Sequence, residues 1–450
     1  MVVSRDKAPT AQETFMQMAQ AAGLRGRLLV TVGLLALARF GVFLPVPGID
    51  RVRFSADIKN SPVIGFLDIF SGGGLSALGI FALGILPYIN ASIILQLLTA
   101  AIPSLENLQK NEGEAGRRKI SQITRYVAVG WGVAQSIGIA LWVQRYATTP
   151  GLPFIIGTVL ALTAGSMFVM WLSELITERG IGNGASLLIF VNIVAVLPRT
   201  LGQTIELAQT GGRDTVLKVV LLLLVFLVMI VGIVFVQEGT RRIPIISARR
   251  QVGRRLYRER TSYLPLRLNQ GGVMPIIFAS AVLILPASLA GPLAQFTSSS
   301  GGKGFLQPVN QALVQISNYL NPNGPTPWLY VMAYLLLIVF FSYFYASLIV
   351  NPVDMSQNLK KMGASIPGIR PGKATSDYLE RVLNRLTFLG AIFLGLVAVV
   401  PTAVESATQV PTFRGLGATS LLILVGVAID TAKQIQTYVI SQRYEGMVKQ

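Results

Sequence analysis

Few residues of this chain could take part in chemistry, because it contains neither His nor Cys. Those two residue types supply the commonest metal ligand, the usual proton shuttle and the thiol nucleophile. Five charged side chains stand out within or beside long apolar runs: Arg39, Asp68, Glu174, Glu405 and Asp430. Interfacial or snorkelling placement is the simpler interpretation of all five. Because ion pumps place carboxylates deep in their spans, the pattern argues against a proton or sodium pump and favours a passive conduit.

The glycine-rich passages do not form a nucleotide site. SGGG at Ser71–Gly74 and GIGNG at Gly180–Gly184 lack the following Lys and the strand–helix context of a phosphate-binding loop. We interpret both as turns or hinges. No cofactor and no metal are expected, and the lack of a nucleophile–base pair argues against an enzyme.

The elements that must position these residues are membrane spans. The chain is 52% hydrophobic and 13% charged, whereas a soluble domain is about 25% charged. Roughly three quarters of the 38 Lys and Arg residues lie in one set of alternate loops, which the positive-inside rule places in the cytoplasm with both termini. The first 27 residues lack the apolar region of a cleavable signal. Ten apolar runs are predicted as spans: 28–46, 75–101, 123–143, 153–176, 185–204, 216–236, 273–296, 328–350, 386–404 and 416–438.

A short apolar stub, residues 63–70, precedes the second run and is separated from it by the SGGG passage. It is too short to cross a bilayer, and its backbone polar groups could not face lipid. We therefore expect the stub to lie inside the protein or to line an aqueous cavity. The run that follows, from Leu75 to Ile102, is predicted to form one membrane-length helix.

Two basic loops, 238–272 and 351–385, face the predicted cytoplasmic side. Retention on that side explains a few charges, but the first loop carries nine Arg interleaved with Leu256, Tyr257 and Tyr263. Such an arm could meet an acidic protein, the lipid surface or RNA, and the sequence leaves these alternatives open. On the other side, the segment 296–327 is predicted to be loop with one helix at 309–316.

Neutral polar residues occur inside several predicted spans. Helix–helix hydrogen bonding is their default explanation, and a polar seam that can open between helices is the alternative. The residues are Asn90, Ser92, Gln96, Asn192 and Ser280.

Six passages spread over nearly the whole chain carry a family resemblance. They are DIFSGGGLSALGIFALGILPYINASIILQLL at 68–98, ERGIGNGASLLIF at Glu178–Phe190, RRIPI at Arg241–Ile245, LPLRLNQGGVMPIIFA at Leu264–Ala279, SIPGIRPGKAT at Ser365–Thr375 and DTAKQIQTYVISQRYEGMVK at 430–449. In this order they resemble the SecY family, the central subunits of protein-conducting channels. The resemblance implies an all-α polytopic membrane protein with ten transmembrane helices in two inverted five-helix halves, 28–210 and 211–438, around a central hourglass pore. The count of five runs in each half agrees with inverted repeats. Residues 1–27 and 439–450 would be cytoplasmic.

The resemblance also implies roles for individual residues. A plug at about 62–72 would include Ile64, Phe66, Leu67, Asp68, Ile69 and Phe70. The pore ring would consist of Ile85, Ile89, Ile189, Ile193, Ile277 and Ile423. A lateral gate between spans 2 and 7 would include Ser92, Gln96 and Ser280. Docking of the motor or the ribosome would use Arg254, Arg255 and Arg370.

The implied function is Sec-dependent translocation of unfolded preproteins and lateral insertion of membrane proteins. The implied partners are SecE, SecG, SecA, the ribosome, signal peptides, preproteins and lipid, with SecD, SecF, YidC and a second copy as further candidates. The implied location is the bacterial cytoplasmic membrane, with the thylakoid membrane as a second one. Two other classes stay open on the residues alone. A secondary transporter would show ion-coupled solute uptake, and a structural scaffold would copurify with single-span subunits without channel activity.

Overall fold

The computed structural model of the chain describes residues 22–50, 53–54, 71–110, 112–247, 250–252, 255–257, 261–283, 286, 306–319, 326–408 and 418–448. Within these ranges the protein is mainly helical, as predicted. The helices are α1 (Ala22–Phe43), α2 (Leu86–Ala101), α3 (Pro103–Lys110), α4 (Gly113–Val143), α5 (Leu152–Arg179), α6 (Gly184–Thr210), α7 (Gly212–Glu238), α8 (Met274–Leu283), α9 (Leu306–Tyr319), α10 (Pro327–Ile349), α11 (Pro352–Lys361), α12 (Lys373–Thr408) and α13 (Ala418–Val448). The strands are β1 (Thr240–Ser247), β2 (Arg250–Val252), β3 (Arg255–Tyr257), β4 (Thr261–Arg267) and β5 (Ala364–Ser365).

Seven helices in the described part of the chain are long and apolar enough to cross a membrane. They correspond to the predicted spans 1, 3, 4, 5, 6, 8 and 9. Spans 2 and 7 correspond to the shorter apolar helices α2 and α8. Span 10 corresponds to α13, which has 31 residues but carries charged side chains in its second half. The helix α9 occupies the predicted helical patch of the segment 296–327.

The prediction of one continuous helix from Leu75 to Ile102 is wrong. Residues 72–85 form successive turns, and the regular helix α2 begins only at Leu86. Leu78 and Gly84 have positive φ angles of 43° and 53°, and a right-handed helix cannot continue through such residues. The apolar character of this run therefore reflects burial inside the protein rather than an uninterrupted crossing.

The turn segment 71–85 satisfies part of its backbone by bonding to the chain that directly follows α1 and to α5. The Val46 amide donates to the Leu78 carbonyl at 3.0 Å, and the Ile80 amide donates to the Leu44 carbonyl at 2.8 Å. From α5, the Ser166 hydroxyl donates to the Gly84 carbonyl at 3.0 Å. Irregular backbone at membrane depth is stable only where protein supplies such partners. This environment is the one that the sequence predicted for the stub at 63–70, which lies outside the described residues.

The first basic loop folds into antiparallel strands, which the all-helical prediction did not include. Strand β1 pairs with β4 and also with β5 of the second basic loop, so that the two loops share one sheet. Ile243 and Ile245 are buried and alternate with exposed neighbours, as the two-residue period of a half-buried strand requires. Together with Leu266 they form an apolar cluster with residues of α11 and α12, such as Leu383. The sheet is thereby anchored to the helical body.

Candidate functional site

Six Ile side chains from four parts of the chain lie in one buried apolar cluster. Ile189 and Ile193 are four residues apart in α6 and therefore lie on the same side of that helix. Ile85 and Ile89 have the same spacing across the start of α2. The exposed fraction of each side chain is 6% or less. The residues are Ile85 directly before α2, Ile89 in α2, Ile189 and Ile193 in α6, Ile277 in α8 and Ile423 in α13.

A cavity of about 400 Å³ opens beside this cluster, and its apolar lining includes Ile89, Ile189 and Ile277. Most of the other lining residues are of polar type and come from α2, α4, α5, the 180–183 turn and α6. Met274 and Phe278 of α8 and Tyr345 of α10 complete the lining. A second cavity of about 550 Å³ shares Asn183, Ser186 and Met274 with the first. Two cavities that are lined in part by polar side chains therefore adjoin the buried apolar cluster, which is the candidate constriction of the site.

The turn before α6 is fixed locally by its own sequence, which supports the interpretation of GIGNG as a turn. Gly182 has a φ of 90°, a conformation that glycine adopts without strain. The Asn183 side chain caps α6 by accepting hydrogen bonds from the amides of Ala185 at 3.0 Å and Ser186 at 3.4 Å. The Gly182 amide donates at 2.8 Å to the Gln434 side chain of α13. This turn thus joins helices from distant parts of the sequence at the rim of the cavities.

A hydrogen-bond chain crosses between α2 and α10 at the edge of the first cavity. The Tyr345 hydroxyl donates to Oε1 of Gln96, and Nε2 of Gln96 donates to the Ser92 hydroxyl at 3.1 Å. Ser280 does not take part in this chain, because its hydroxyl donates to the Ile277 carbonyl of its own helix at 2.8 Å. Two of the three residues assigned to a lateral gate are therefore brought together here.

Tyr345 was missed by the sequence reasoning. Its ring is 7% exposed and packs against Phe278 at a centroid distance of 5.1 Å. A phenol within an apolar run is a usable signal, because a buried tyrosine hydroxyl normally needs a hydrogen-bond partner. The partner in this case is 249 residues away in the sequence.

Charged groups at the cavity mouths are paired. The Arg125 guanidinium donates to Glu174 at 2.9 Å, and the Glu174 side chain is 18% exposed. Asp430 lies 3.9 Å from Arg267. These pairs agree with placement at the ends of spans. Among the described residues, no group of three or more acidic side chains could hold a metal ion.

Arg39 is the charged residue that lies within a span, and the structure gives it a partner. Its guanidinium donates to the backbone carbonyl of Gly72 and lies 5.6 Å from the ring centre of Phe43. Asp68 lies outside the described residues. Position 405 belongs to α12, but its side chain is not among those described.

The remaining predicted residues are separated from the cavities or undescribed. Arg370 is exposed in the turn before α12, and its carbonyl accepts a hydrogen bond from the Thr375 hydroxyl at 2.9 Å. Arg255 belongs to β3, and Arg254 lies outside the described residues. Ile64, Phe66, Leu67, Asp68, Ile69 and Phe70 of the predicted plug also lie outside them.

Comparisons with known proteins agree on one family. The family model described as SecY matches residues 79–432. "Protein translocase subunit SecY" of Synechococcus elongatus is 74% identical over 453 residues, which cover all of both chains. A solved structure of SecY, described by a plug domain that stabilises the closed state of its translocation channel, matches with a TM-score of 0.65 at 16% identity over 96% of this chain and 94% of the other. Sec61 in a canine ribosome–channel complex matches with a TM-score of 0.60 at 16% identity over the same shares.

Proposed function

Because the chain belongs to the SecY family of protein translocase subunits, we propose that it moves unfolded preproteins through the apolar constriction and releases apolar segments sideways. The chain is a channel subunit of a membrane protein translocase and not an enzyme. We further assign the parts of the molecule that would conduct, seal and open the path.

The observation that carries the proposal is that all six Ile side chains lie in one buried cluster beside two cavities that are lined in part by polar side chains. An Ile collar offers no polar partner to an ion, so a narrow collar resists wetting. Branching at Cβ keeps each side chain stiff. Because the collar makes no hydrogen bond to a passing chain, polypeptides of different sequence can slide through it. We assign the ring to Ile85, Ile89, Ile189, Ile193, Ile277 and Ile423.

Two further assignments complete the channel. The segment at about 62–72 would act as a plug that closes the external funnel together with the collar. The boundary between α2 and α8 would act as a lateral gate. Tyr345 of α10 packs its ring on Phe278 of α8 and donates to Gln96 of α2, so this hydrogen bond would break or shift when the gate opens. An apolar signal segment would wedge the gate open because transfer of apolar surface from water is favourable. The two inverted halves would be 28–210 and 211–438.

The driving force would come from outside the chain. We propose that SecA, through ATP hydrolysis, or a translating ribosome docks on the two basic loops, with Arg254, Arg255 and Arg370 as contacts. Small subunits of the SecE and SecG type would pack around the helical body, and SecD, SecF, YidC or a second copy would associate with it. The protein would reside in the bacterial cytoplasmic membrane and also in the thylakoid membrane, with both termini in the cytoplasm.

Reconstitution tests the proposed function. The full-length chain with SecE, SecG, SecA and ATP should move a labelled preprotein into proteoliposomes, where it becomes protected from added protease. Omitting ATP and lysing the vesicles with detergent are the controls. If the preprotein stays accessible to protease while SecA hydrolyses ATP normally on the complex, the proposal is wrong.

A further inference from the structure

Three elements meet at Gly72, the second residue of the turn segment 71–85. The Arg39 guanidinium of α1 donates to the Gly72 carbonyl. A Cβ atom added at Gly72 would lie 2.5 Å from Nη1 of Arg39 and 2.5 Å from Oδ1 of Asn192, so both side chains approach the same face of this glycine. Asn192 belongs to α6 and directly precedes Ile193 of the apolar cluster. This junction therefore connects α1, the turn segment and the constriction.

The residues of the junction are unusual for their surroundings. Arg39 lies within an apolar span, where a charged side chain is costly and marks a functional site by default. Asn192 is a polar residue in another span. Gly72 has a φ of 66°, which favours glycine, and the neighbouring Ser71 is 1% exposed. A charge-assisted hydrogen bond to a backbone carbonyl, which in this case is partly buried, fixes the position of that carbonyl strongly.

We propose that Arg39 and Asn192 are positioning residues that hold Gly72 and the turn segment against the apolar constriction, and so keep the resting channel closed to ions. The inference rests on the proposed function and adds to it a polar clamp beside an apolar seal. The clamp acts through the turn segment, because Ile85 of the collar is the last residue of that segment. Loss of the clamp would let the segment shift and would loosen the collar from the α2 side.

Adjacent glycines provide a matched pair of variants. Gly72→Ala would push a methyl group into Arg39 and Asn192. Gly73→Ala has the same kind of strained backbone, with a φ of 90°, but its methyl group would meet nothing within 4 Å. Both variants lose the freedom of glycine, and only the first disturbs the junction. We expect Gly72→Ala to raise the resting ion conductance of proteoliposomes roughly tenfold, the factor that corresponds to one lost charge-assisted hydrogen bond. We expect Gly73→Ala to stay near the wild-type conductance.

A second pair tests the hydrogen bond itself. Arg39→Lys keeps a charged donor, whereas Arg39→Met keeps only the apolar stem. We expect the resting ion conductance of Arg39→Met to rise as much as that of Gly72→Ala, and the conductance of Arg39→Lys to rise less. Thermal unfolding in detergent shows whether each variant is folded, and a purely structural role would lower stability in both Arg39 variants without separating their conductances.

The outcomes separate the inference from the proposed function. If Ile193→Ser leaks but Gly72→Ala and Arg39→Met do not, the clamp is refuted and the collar stands. Equal leakage of Gly72→Ala and Gly73→Ala, or of Arg39→Lys and Arg39→Met, also refutes the clamp. If Ile193→Ser does not leak either, the proposed collar itself is wrong.

Discussion

Replacing Tyr345 with Phe removes one hydroxyl from the boundary between α2 and α10 and leaves the aromatic packing in place. The ring contacts with Phe278 at 5.1 Å and Phe344 at 5.9 Å do not involve the hydroxyl. The change therefore deletes the hydrogen bond to Gln96 and little else. If this bond closes the lateral gate, the variant should open more readily.

The size of the effect follows from the environment of Gln96. Burial of an unpaired amide oxygen would add a desolvation penalty, but Gln96 lines the first cavity, where water can take the place of the phenol. The net loss is then that of one neutral hydrogen bond, about 1 kcal/mol, or roughly a fivefold shift toward the open gate. A buried methylene group contributes about 0.8 kcal/mol. The variant should therefore compensate for the loss of about one methylene group from a signal segment.

A series of preproteins whose signal segments differ by single Leu→Val and Val→Ala changes provides the assay. We expect the dependence of translocation on signal hydrophobicity to move by about one methylene group in Tyr345→Phe. Tyr343→Phe is the control, since its exposed hydroxyl reaches the Asn384 carbonyl of α12 at 3.5 Å rather than α2. An unshifted dependence in Tyr345→Phe, or an equal shift in Tyr343→Phe, would refute the reasoning.

Three other predictions concern the collar, the docking arm and the turn segment. Ile193→Ser should raise the resting ion conductance, because it places a hydroxyl at a position where the side chain is 1% exposed. Val194→Ser, at a position that is 38% exposed on the same helix, should leave the conductance unchanged. Equal conductances of the two variants would contradict the ring assignment. Arg370→Glu should reduce SecA-driven translocation at least about tenfold, because a reversed charge at an interface costs several kcal/mol. Its thermal unfolding should stay near that of the wild type, because the residue is exposed. Normal translocation by this variant would contradict the docking role of Arg370. Gly165→Ala would bring a methyl group into the Ile80 carbonyl, whereas the methyl group of Gly157→Ala on the same helix would meet nothing within 4 Å. Only Gly165→Ala should therefore lower the free energy of unfolding, by about 1–3 kcal/mol. Equal thermal unfolding of the two variants would contradict the packing of α5 on the turn segment.

Most spans and the two basic loops could be located from the sequence. Span length and loop charge are local properties, because the bilayer thickness sets the first and the orientation rule counts the second. The ordered motifs identified the family, which the comparisons confirmed. The six Ile positions were named from motif positions, and all six lie in one buried cluster. Their role as a pore ring remains a prediction, as do the plug and the docking residues.

The run at 75–102 shows where composition was insufficient. Its apolar residues satisfied the rule for a crossing, but an apolar run can be buried against protein as well as against lipid. Two close contacts show that this segment is compact and turned. Gly79 of the segment packs against the backbone of α1, and Gly165 of α5 packs against the carbonyl of Ile80 in the segment. The basic loops were likewise predicted separately, whereas the pairing of Ile246 with Ser365 joins them.

The sequence by itself determined that the chain is a polytopic membrane protein with two strongly basic loops and little ionisable chemistry within its spans. The tertiary structure decided which polar groups face each other: Gln96 with Tyr345, and Arg39 with the carbonyl of Gly72. Hydropathy is a sum over neighbours along the chain. A hydrogen bond instead depends on two atoms being within about 3 Å of each other, and that distance is set by the packing of helices that are far apart in the sequence.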